Sequence, residues 1–294
     1  MKLRIPATSA NLGPGFDSLG LALKLYNYVT IKPYVTHCVS IKGEGSKNSK
    51  LKVNNIFVNI FNEIYKELNG VCDNFRFEFE NHIPFSRGLG SSSAVIVGAI
   101  ASAYCVSGVK VSKQSVLDRA LCYENHPDNI APAVYGGFTT SLVEDNRVFS
   151  LKKELPKTIQ AIVVIPNRPM STSHSRTQIP KRFLLEDLVY NSSRVGVLSG
   201  AFFSENWEML RVSSSDRVHQ DRRMKKLKEL FRVRDIALEN GALMSTLSGS
   251  GSTFFNLVYS KDANRIFSVL NKEFSKYRVE ILDFDNSGYY ILES

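Results

Sequence analysis

From Gly88 to Val109 the chain runs for 22 residues without a charged side chain. Crossing a bilayer takes roughly 20 apolar residues. The first third of this run is glycine and serine, and its apolar part, Ala94 to Val106, is too short. The spacing instead predicts a helix apolar on nearly every side, which only a protein interior accepts, stopping near Gly108.

The residues leading into that helix are Pro84-Phe85-Ser86-Arg87-Gly88-Leu89-Gly90-Ser91-Ser92-Ser93-Ala94. Glycines let backbone N–H groups approach an anion with no Cβ in the way. The serines are expected to cap the helix, whose first N–H groups and dipole would face a phosphate in front. No Gly-Lys-Ser/Thr follows, so this is not a Walker A loop, and the third glycine of a dinucleotide fingerprint is missing. A plain loop and cap on a buried helix fits the same residues.

At 294 residues the chain suits one large domain or two of about 150. Its 43% hydrophobic and 22% charged residues are those of a globular protein. Met1 to Asn11 holds no apolar signal region, and the four cysteines are scattered without a Cys-x-x-Cys pair, which points to the cytoplasm. The net charge of +9 raises nucleic acid or membrane as partners, most of all at 222–234, with seven basic residues and one acid. Met224, Leu227, Leu230 and Phe231 fall at helical spacing there, and no RNA-stacking motif accompanies them. The run therefore reads as an amphipathic surface helix, and neither partner is expected.

Strands are expected at Tyr28–Tyr34 and Phe75–Phe79, and helices at Asn54–Leu68, from Ser92, and near Ser112–Tyr123, with a turn around Glu144-Asp145-Asn146. The charged connection Lys152-Lys153-Glu154-Leu155-Pro156 divides the chain into units 1–155 and 156–294. The second unit shows a strand at Ile159–Pro166 and helical stretches at about 184–211 and 224–239. It continues with a strand at Thr253–Tyr259, a helix at Asp262–Phe274 and a strand at Tyr277–Leu282. That order suits an α+β class with a split βαβ sheet and helices on one face.

Four further segments gather chemistry. Pro6 to Asp17 offers the Asn11 amide and the Asp17 carboxylate on a loop held tight by Gly13, Pro14 and Gly15. Glu124-Asn125-His126-Pro127-Asp128-Asn129 packs two carboxylates, an imidazole and amides into six residues, a composition suited to metal or substrate contacts. Ser171 to Arg176 carries an arginine able to grip a carboxylate with two parallel N–H bonds. Leu247 to Thr253 is a second Gly/Ser loop, whose backbone is expected close to the first. Each alone also reads as a turn or a solvated loop.

Together these segments resemble the GHMP small-molecule kinases. The N-terminal loop, Gly88 to Ala94, and Ser248-Gly249-Ser250-Gly251 match that family's three motifs in order. Within the family the chain is most similar to the homoserine kinases. That similarity rests on Pro6–Asp17 with Ser18-Leu19-Gly20, on His126 to Pro132, and on Ser171-Thr172, Arg176 and Pro180. It runs from residue 4 to about 260.

The resemblance implies a two-domain GHMP kinase fold, with an N-terminal ribosomal-S5-like α/β domain and a C-terminal ferredoxin-like domain. It implies ATP-dependent phosphorylation of the side-chain hydroxyl of L-homoserine, a step towards threonine, with Mg²⁺ and a homodimer. The alternatives are another small alcohol as acceptor, or a non-catalytic binding protein of the same fold. Asn11, Asp17, His126, Asp128, Thr172, Arg176 and Arg223 are implied at the amino acid, with Arg222 an alternative to Arg223. Asn55, Pro84, Arg87, Gly88, Leu89, Gly90, Ser91, Ser92, Ser93, Ser248, Gly249 and Gly251 are implied at ATP, and Ser92 and Glu124 at Mg²⁺. Where sister kinases place an aspartate base this chain has Asn129, whose amide accepts no proton. The resemblance therefore implies no dedicated base, with Asp17 and His126 as the side chains able to replace one.

Overall fold

The computed structural model of the protein describes residues 1–225 and 227–294, and all of their side chains but those at 172 and 173. The first unit comprises β1 (Lys2–Ala10), β2 (Leu19–Pro33), β3 (Cys38–Gly43), α1 (Lys50–Val53), α2 (Ile56–Asn69), β4 (Phe75–Asn81), α3 (Ser91–Val106), α4 (Lys113–Ala120), α5 (Pro127–Tyr135), β5 (Phe138–Glu144) and β6 (Arg147–Lys153). The strands form one sheet in which β1 pairs β2, β2 pairs β4, and β3 lies parallel to β4 at the edge. β5 pairs β2 near its start and turns back into β6. That turn places Asp145 and Asn146 at positive φ, the pattern of a tight two-residue hairpin loop.

α3 is the expected buried helix, enclosed by α2, α4, α5 and β1, with Ser93 to Ala103 almost wholly out of solvent apart from Val95. No helix among the described residues is long and apolar enough to cross a membrane. α2 follows the expected period but turns Phe57, Ile60, Phe61 and Ile64 inward and leaves Ile56 exposed at its start. The rings of Phe57 and Phe61 meet Phe79, Phe75 and Phe77 of β4 edge-on at 5.1–5.3 Å, a favourable aromatic geometry.

The second unit follows as β7 (Ile159–Ile165), α6 (Thr172–Thr177), α7 (Leu185–Ser204), α8 (Leu210–Ser213), α9 (Gln220–Met224), α10 (Glu229–Glu239), β8 (Met244–Leu247), β9 (Phe254–Tyr259), α11 (Ala263–Glu273) and β10 (Arg278–Leu282). Its sheet runs β10-β7-β9-β8, the split βαβ arrangement.

Three expectations are corrected here. The sheet is covered on both faces. Ala161, Val163, Phe255 and Leu257 enter the larger core with Leu198 and Phe202 of α7, while Ile162, Val164, Phe254 and Val258 face α10 and α11. That is why β7 reads as an apolar run interrupted by Gln160 alone. The basic stretch 222–234 is two helices rather than one, although Met224, Leu227 and Leu230 are buried as the spacing required. Finally, the chain does not stay in the second unit to residue 294. Asp285 exchanges backbone hydrogen bonds with Ala22 and Gly137, and β11 (Tyr290–Glu293) pairs antiparallel with β1 in the first sheet.

Candidate active site

A cleft of about 410 Å³ is lined by residues of both units. Its centre is the N-terminus of α3. The capping residue is Gly90, at φ 65°, with no side-chain cap bond, so the serines do not cap the helix as expected. They form its first turn instead. The first ladder bond runs from Ala94 N–H to Gly90 O, leaving the N–H groups of Ser91, Ser92 and Ser93 ahead of the ladder.

The loop before them is held by the second Gly/Ser loop. Ser248 Oγ donates to Gly88 O at 2.6 Å, and Thr253 N–H donates to Arg87 O at 2.9 Å. Gly88 sits at φ 79°, and a Cβ there would overlap the Ser248 carbonyl. The Arg87 guanidinium donates to Phe85 O, Pro166 O and Asn167 Oδ1, and so ties the loop to the end of β7.

On one side of this turn the cleft is apolar, with Val29, Ile41, Leu51, Phe57, Phe79 and Phe85 as walls. Asn55 lies there too, its Oδ1 capping α2 by accepting the Phe57 N–H at 3.0 Å.

On the other side the cleft is polar and charged. Arg176 donates two parallel bonds to Asp17, at 2.9 and 2.8 Å. Asp17 itself sits at φ 58°, fixed by its N–H donating to Asn11 Oδ1, while Asn11 Nδ2 donates to Gly249 O. His126 Nδ1 lies 3.5 Å from the same carboxylate, and burial lowers its pKa from the ordinary value.

Arg223 is 3% exposed and comes from α9. Asp216 fixes the start of that helix by accepting the N–H groups of His219 and Gln220. His219, which burial keeps neutral, bonds Gly13 O through Nε2 and faces Arg223 Nη1 with Nδ1. The arginine donates to Gly249 O at 3.0 Å, and its buried Nε has no partner among the described residues. Burial and the neighbouring Arg176 pull its pKa down to about 10, which leaves it charged at neutral pH. The Phe16 ring lies about 5 Å from both guanidinium carbons.

Asp17 and Asp128 face these cations, with Glu124 beside the two acids. Asp128 is 4% exposed, and burial, with Asp17 and Glu124 nearby, raises it to about 8. Burial also raises Glu124, which accepts from Ser93 Oγ at 2.7 Å. A raised carboxyl pKa means the folded state favours the protonated form. The stability this gives is complete below the ordinary value near 4 and is lost as pH climbs through 8. The melting temperature of Asp128→Asn should therefore gain on that of the wild-type protein between pH 5 and 9, by several degrees in all. A constant difference across that range would show that Asp128 is already ionised at pH 5.

Family models for the GHMP kinases N terminal domain and the GHMP kinases C terminal match residues 55–137 and 200–276. The homoserine kinase of a Nitratiruptor species is 61% identical over 100% of both chains, and that of Campylobacter concisus is 56% identical over the same share. The chain belongs to the homoserine kinases, a branch of the GHMP kinase family. Among solved structures, the homoserine kinase from Cytophaga hutchinsonii superposes with a TM-score of 0.87 at 26% identity, covering 99% of this chain and 96% of its own. The Methanococcus jannaschii mevalonate kinase shares the fold, with a TM-score of 0.72 at 16% identity over 97% and 98%. The α+β GHMP kinase fold expected from the sequence is the one found.

In this GHMP kinase the cleft gathers most of the residues singled out by sequence. Asn11, Asp17, Asn55, Arg87 to Ser93, Glu124, His126, Asp128, Asn129, Arg176, Arg223 and Gly249 all line it. Pro84, Ser248 and Gly251 do not, and Ser248 acts as a brace behind the loop. The Thr172 side chain lies outside the described residues. Arg222 turns its Nε to Val218 O and leaves the cleft to Arg223. Sequence reasoning missed Phe16, Thr8, His219 and the apolar wall. Thr8 and Phe16, inside the Pro6–Asp17 segment already singled out, carried a local signal.

Proposed function

We propose that this kinase transfers the γ-phosphoryl group of ATP to the side-chain hydroxyl of L-homoserine, giving O-phospho-L-homoserine and ADP on the route to threonine. The hydroxyl oxygen bonds to the γ-phosphorus, the bond from that phosphorus to the β-phosphate oxygen breaks, and the hydroxyl proton passes to solvent. The observation that carries this reading is the joining of Asp17, Asp128, Arg176 and Arg223 at one end of the cleft that holds the α3 N-terminus. A zwitterion needs carboxylates for its ammonium and guanidinium groups for its carboxylate. A sugar or an isoprenoid alcohol would leave the charges unused. The 61% and 56% identical relatives carry the homoserine kinase name.

The α3 N-terminus, with its free N–H groups and dipole, would hold the phosphates, and the apolar end the adenine. The residues present fit Mg²⁺, which favours hard oxygen ligands and keeps several waters. Glu124 has a buried carboxylate raised by that burial, and the Ser92 hydroxyl is exposed at the mouth. When bound, the ion would neutralise charge on the transferring phosphoryl group. Asn129 cannot take the hydroxyl proton as a base, so this chain's contribution is positioning and charge. The reading carries with it a cytoplasmic homodimer.

Ser92→Ala should lower kcat roughly tenfold or more and weaken the Mg²⁺ dependence, because an oxygen aimed at the phosphoryl side is lost while α3 remains folded. Wild-type turnover with unchanged Mg²⁺ dependence would remove Ser92 from the ion site. The function itself is tested by ADP release from L-homoserine against a panel of amino acids and sugars. Release is expected with homoserine, and turnover confined to a sugar would overturn the reading.

A further inference from the structure

Thr8 lies behind the cleft. It is fully buried near the end of β1 and lines no part of the cavity. Three contacts nonetheless join it to the reacting end. Its N–H donates to Leu89 O at 3.2 Å, within the phosphate loop. Its Oγ1 donates to Asn129 Oδ1 at 2.7 Å. The same oxygen fills the space a Cβ on Gly90 would need, a point only 3.1 Å from Asn129 Oδ1.

The two ends of an asparagine amide have nearly the same shape, and the bonds around them decide which end faces a ligand. Here Oδ1 is occupied by Thr8, and Nδ2 donates to Asp128 Oδ1 at 3.2 Å. The second Nδ2 hydrogen is the one left for the cleft that Asn129 lines. A flipped amide could still donate to the Thr8 oxygen, but it would take away the Oδ1 that accepts the Thr8 proton and the N–H that Asp128 Oδ1 accepts, so the flip costs two buried bonds and regains one.

We propose that Thr8 is a positioning residue that locks the Asn129 amide with its N–H₂ towards the acceptor hydroxyl, so that Asn129 donates to the hydroxyl oxygen and orients it. This rests on the phosphoryl-transfer reading above. It also gives a reason for the glycine at position 90, since the lock occupies the space of its missing side chain. Thr8 thereby couples the phosphate loop and the acceptor's partner through one buried hydroxyl.

The test compares Thr8→Val, which removes the hydroxyl at constant shape, with Thr8→Ser, which keeps it; Thr8→Ala stands in if the valine variant does not fold. Thr8→Val should lower kcat roughly tenfold, the worth of one buried hydrogen bond, with both KM values within about twofold. Thr8→Ser should restore kcat to within about threefold. In an Asn129→Ala background, Thr8→Val should cost less than about twofold, as expected for a residue acting only through Asn129. A substrate-free arm uses protein labelled with ¹⁵N at asparagine. The Asn129 side-chain amide pair, identified by its loss in Asn129→Ala, should be sharp in wild type and Thr8→Ser and exchange-broadened in Thr8→Val. The same tenfold loss in the Asn129→Ala background, no rescue by serine, or an unmoved sharp amide pair in Thr8→Val would each overturn the proposal. Should wild type release no ADP with homoserine, the substrate reading alone fails, and the amide signals still decide the role of Thr8.

Discussion

Asp17→Asn will raise the KM for homoserine by about a hundredfold, while the KM for ATP stays within about threefold. The free protein satisfies Asp17 with two bonds from Arg176 and holds its backbone at φ 58° through Asn11. A zwitterionic amino acid would divide that pair, its carboxylate taking the guanidinium and its ammonium the carboxylate. Removing the charge of Asp17 deprives the ammonium of its partner and leaves Arg176 unpaired. Truncating one member of a buried charge pair costs about 2–5 kcal/mol. The two side chains here are 37% and 27% exposed, and solvent screening keeps the loss towards the lower end, with about 1.4 kcal/mol worth tenfold in affinity. The same variant addresses the proton. At saturating homoserine across pH 5–9, His126→Asn and Asp17→Asn should both keep a pH–rate profile of wild-type shape, because neither is the base. An Asp17→Asn enzyme that binds homoserine with near-normal affinity and yet does not turn over would identify Asp17 as the base and end the base-free mechanism.

Gly90→Ala will cost kcat about a hundredfold or more and destabilise the fold by about 2–3 kcal/mol. The residue sits at φ 65°, where an L side chain is strained by about 1 kcal/mol or more. Its added methyl would also overlap Thr8 Oγ1 and crowd Asn129 Oδ1, and overpacking of that kind costs about 1–3 kcal/mol. Something must move, and the candidates are the loop that cradles phosphate and the amide beside the acceptor. Gly70→Ala separates strain from function. It has φ 74° at the end of α2 with nothing within 4 Å of its would-be Cβ, so it should lose about 1 kcal/mol of stability and no activity. Denaturant melts and kcat for both variants decide the matter. Equal kcat in Gly90→Ala and wild type would mean that the loop tolerates displacement and that its geometry is not what positions the phosphates.

The sequence disclosed α3 because a helix without charge over four turns has only one environment open to it, and it disclosed β7 for a similar reason, both faces being covered. The serines were misread because capping preferences describe the residue before the first turn, whereas Gly90 takes that place here with a left-handed backbone. The charged end of the cleft was legible in pieces. Glu124 and Asp128 share one six-residue cluster and Asp17 and Arg176 stand in polar segments, but no local pattern joins these pieces to one another or to Arg223. The apolar wall was not legible at all. Val29, Ile41, Leu51, Phe57 and Phe79 are ordinary strand and helix residues, and their role appears only when β2, β3, α1, α2 and β4 meet around one hollow beside the loop residue Phe85. Thr8 shows the same limit at the scale of one hydroxyl, since its partner is 121 positions away.

The pairing of β11 with β1 sets an order of assembly. Leu3 lies opposite Ile291 and Arg4 opposite Tyr290, so β1 shares hydrogen bonds with a strand that follows it at great distance along the chain. While the ribosome is still adding residues up to 289, one edge of β1 is open, with its N–H and C=O groups available to any passing strand. β2 and β4 can shelter the other side early, but closure of the sheet has to wait for β11, and contacts so distant along the chain form slowly. The nascent kinase thus carries an adhesive edge from the emergence of β1 until residues 290–293 follow it.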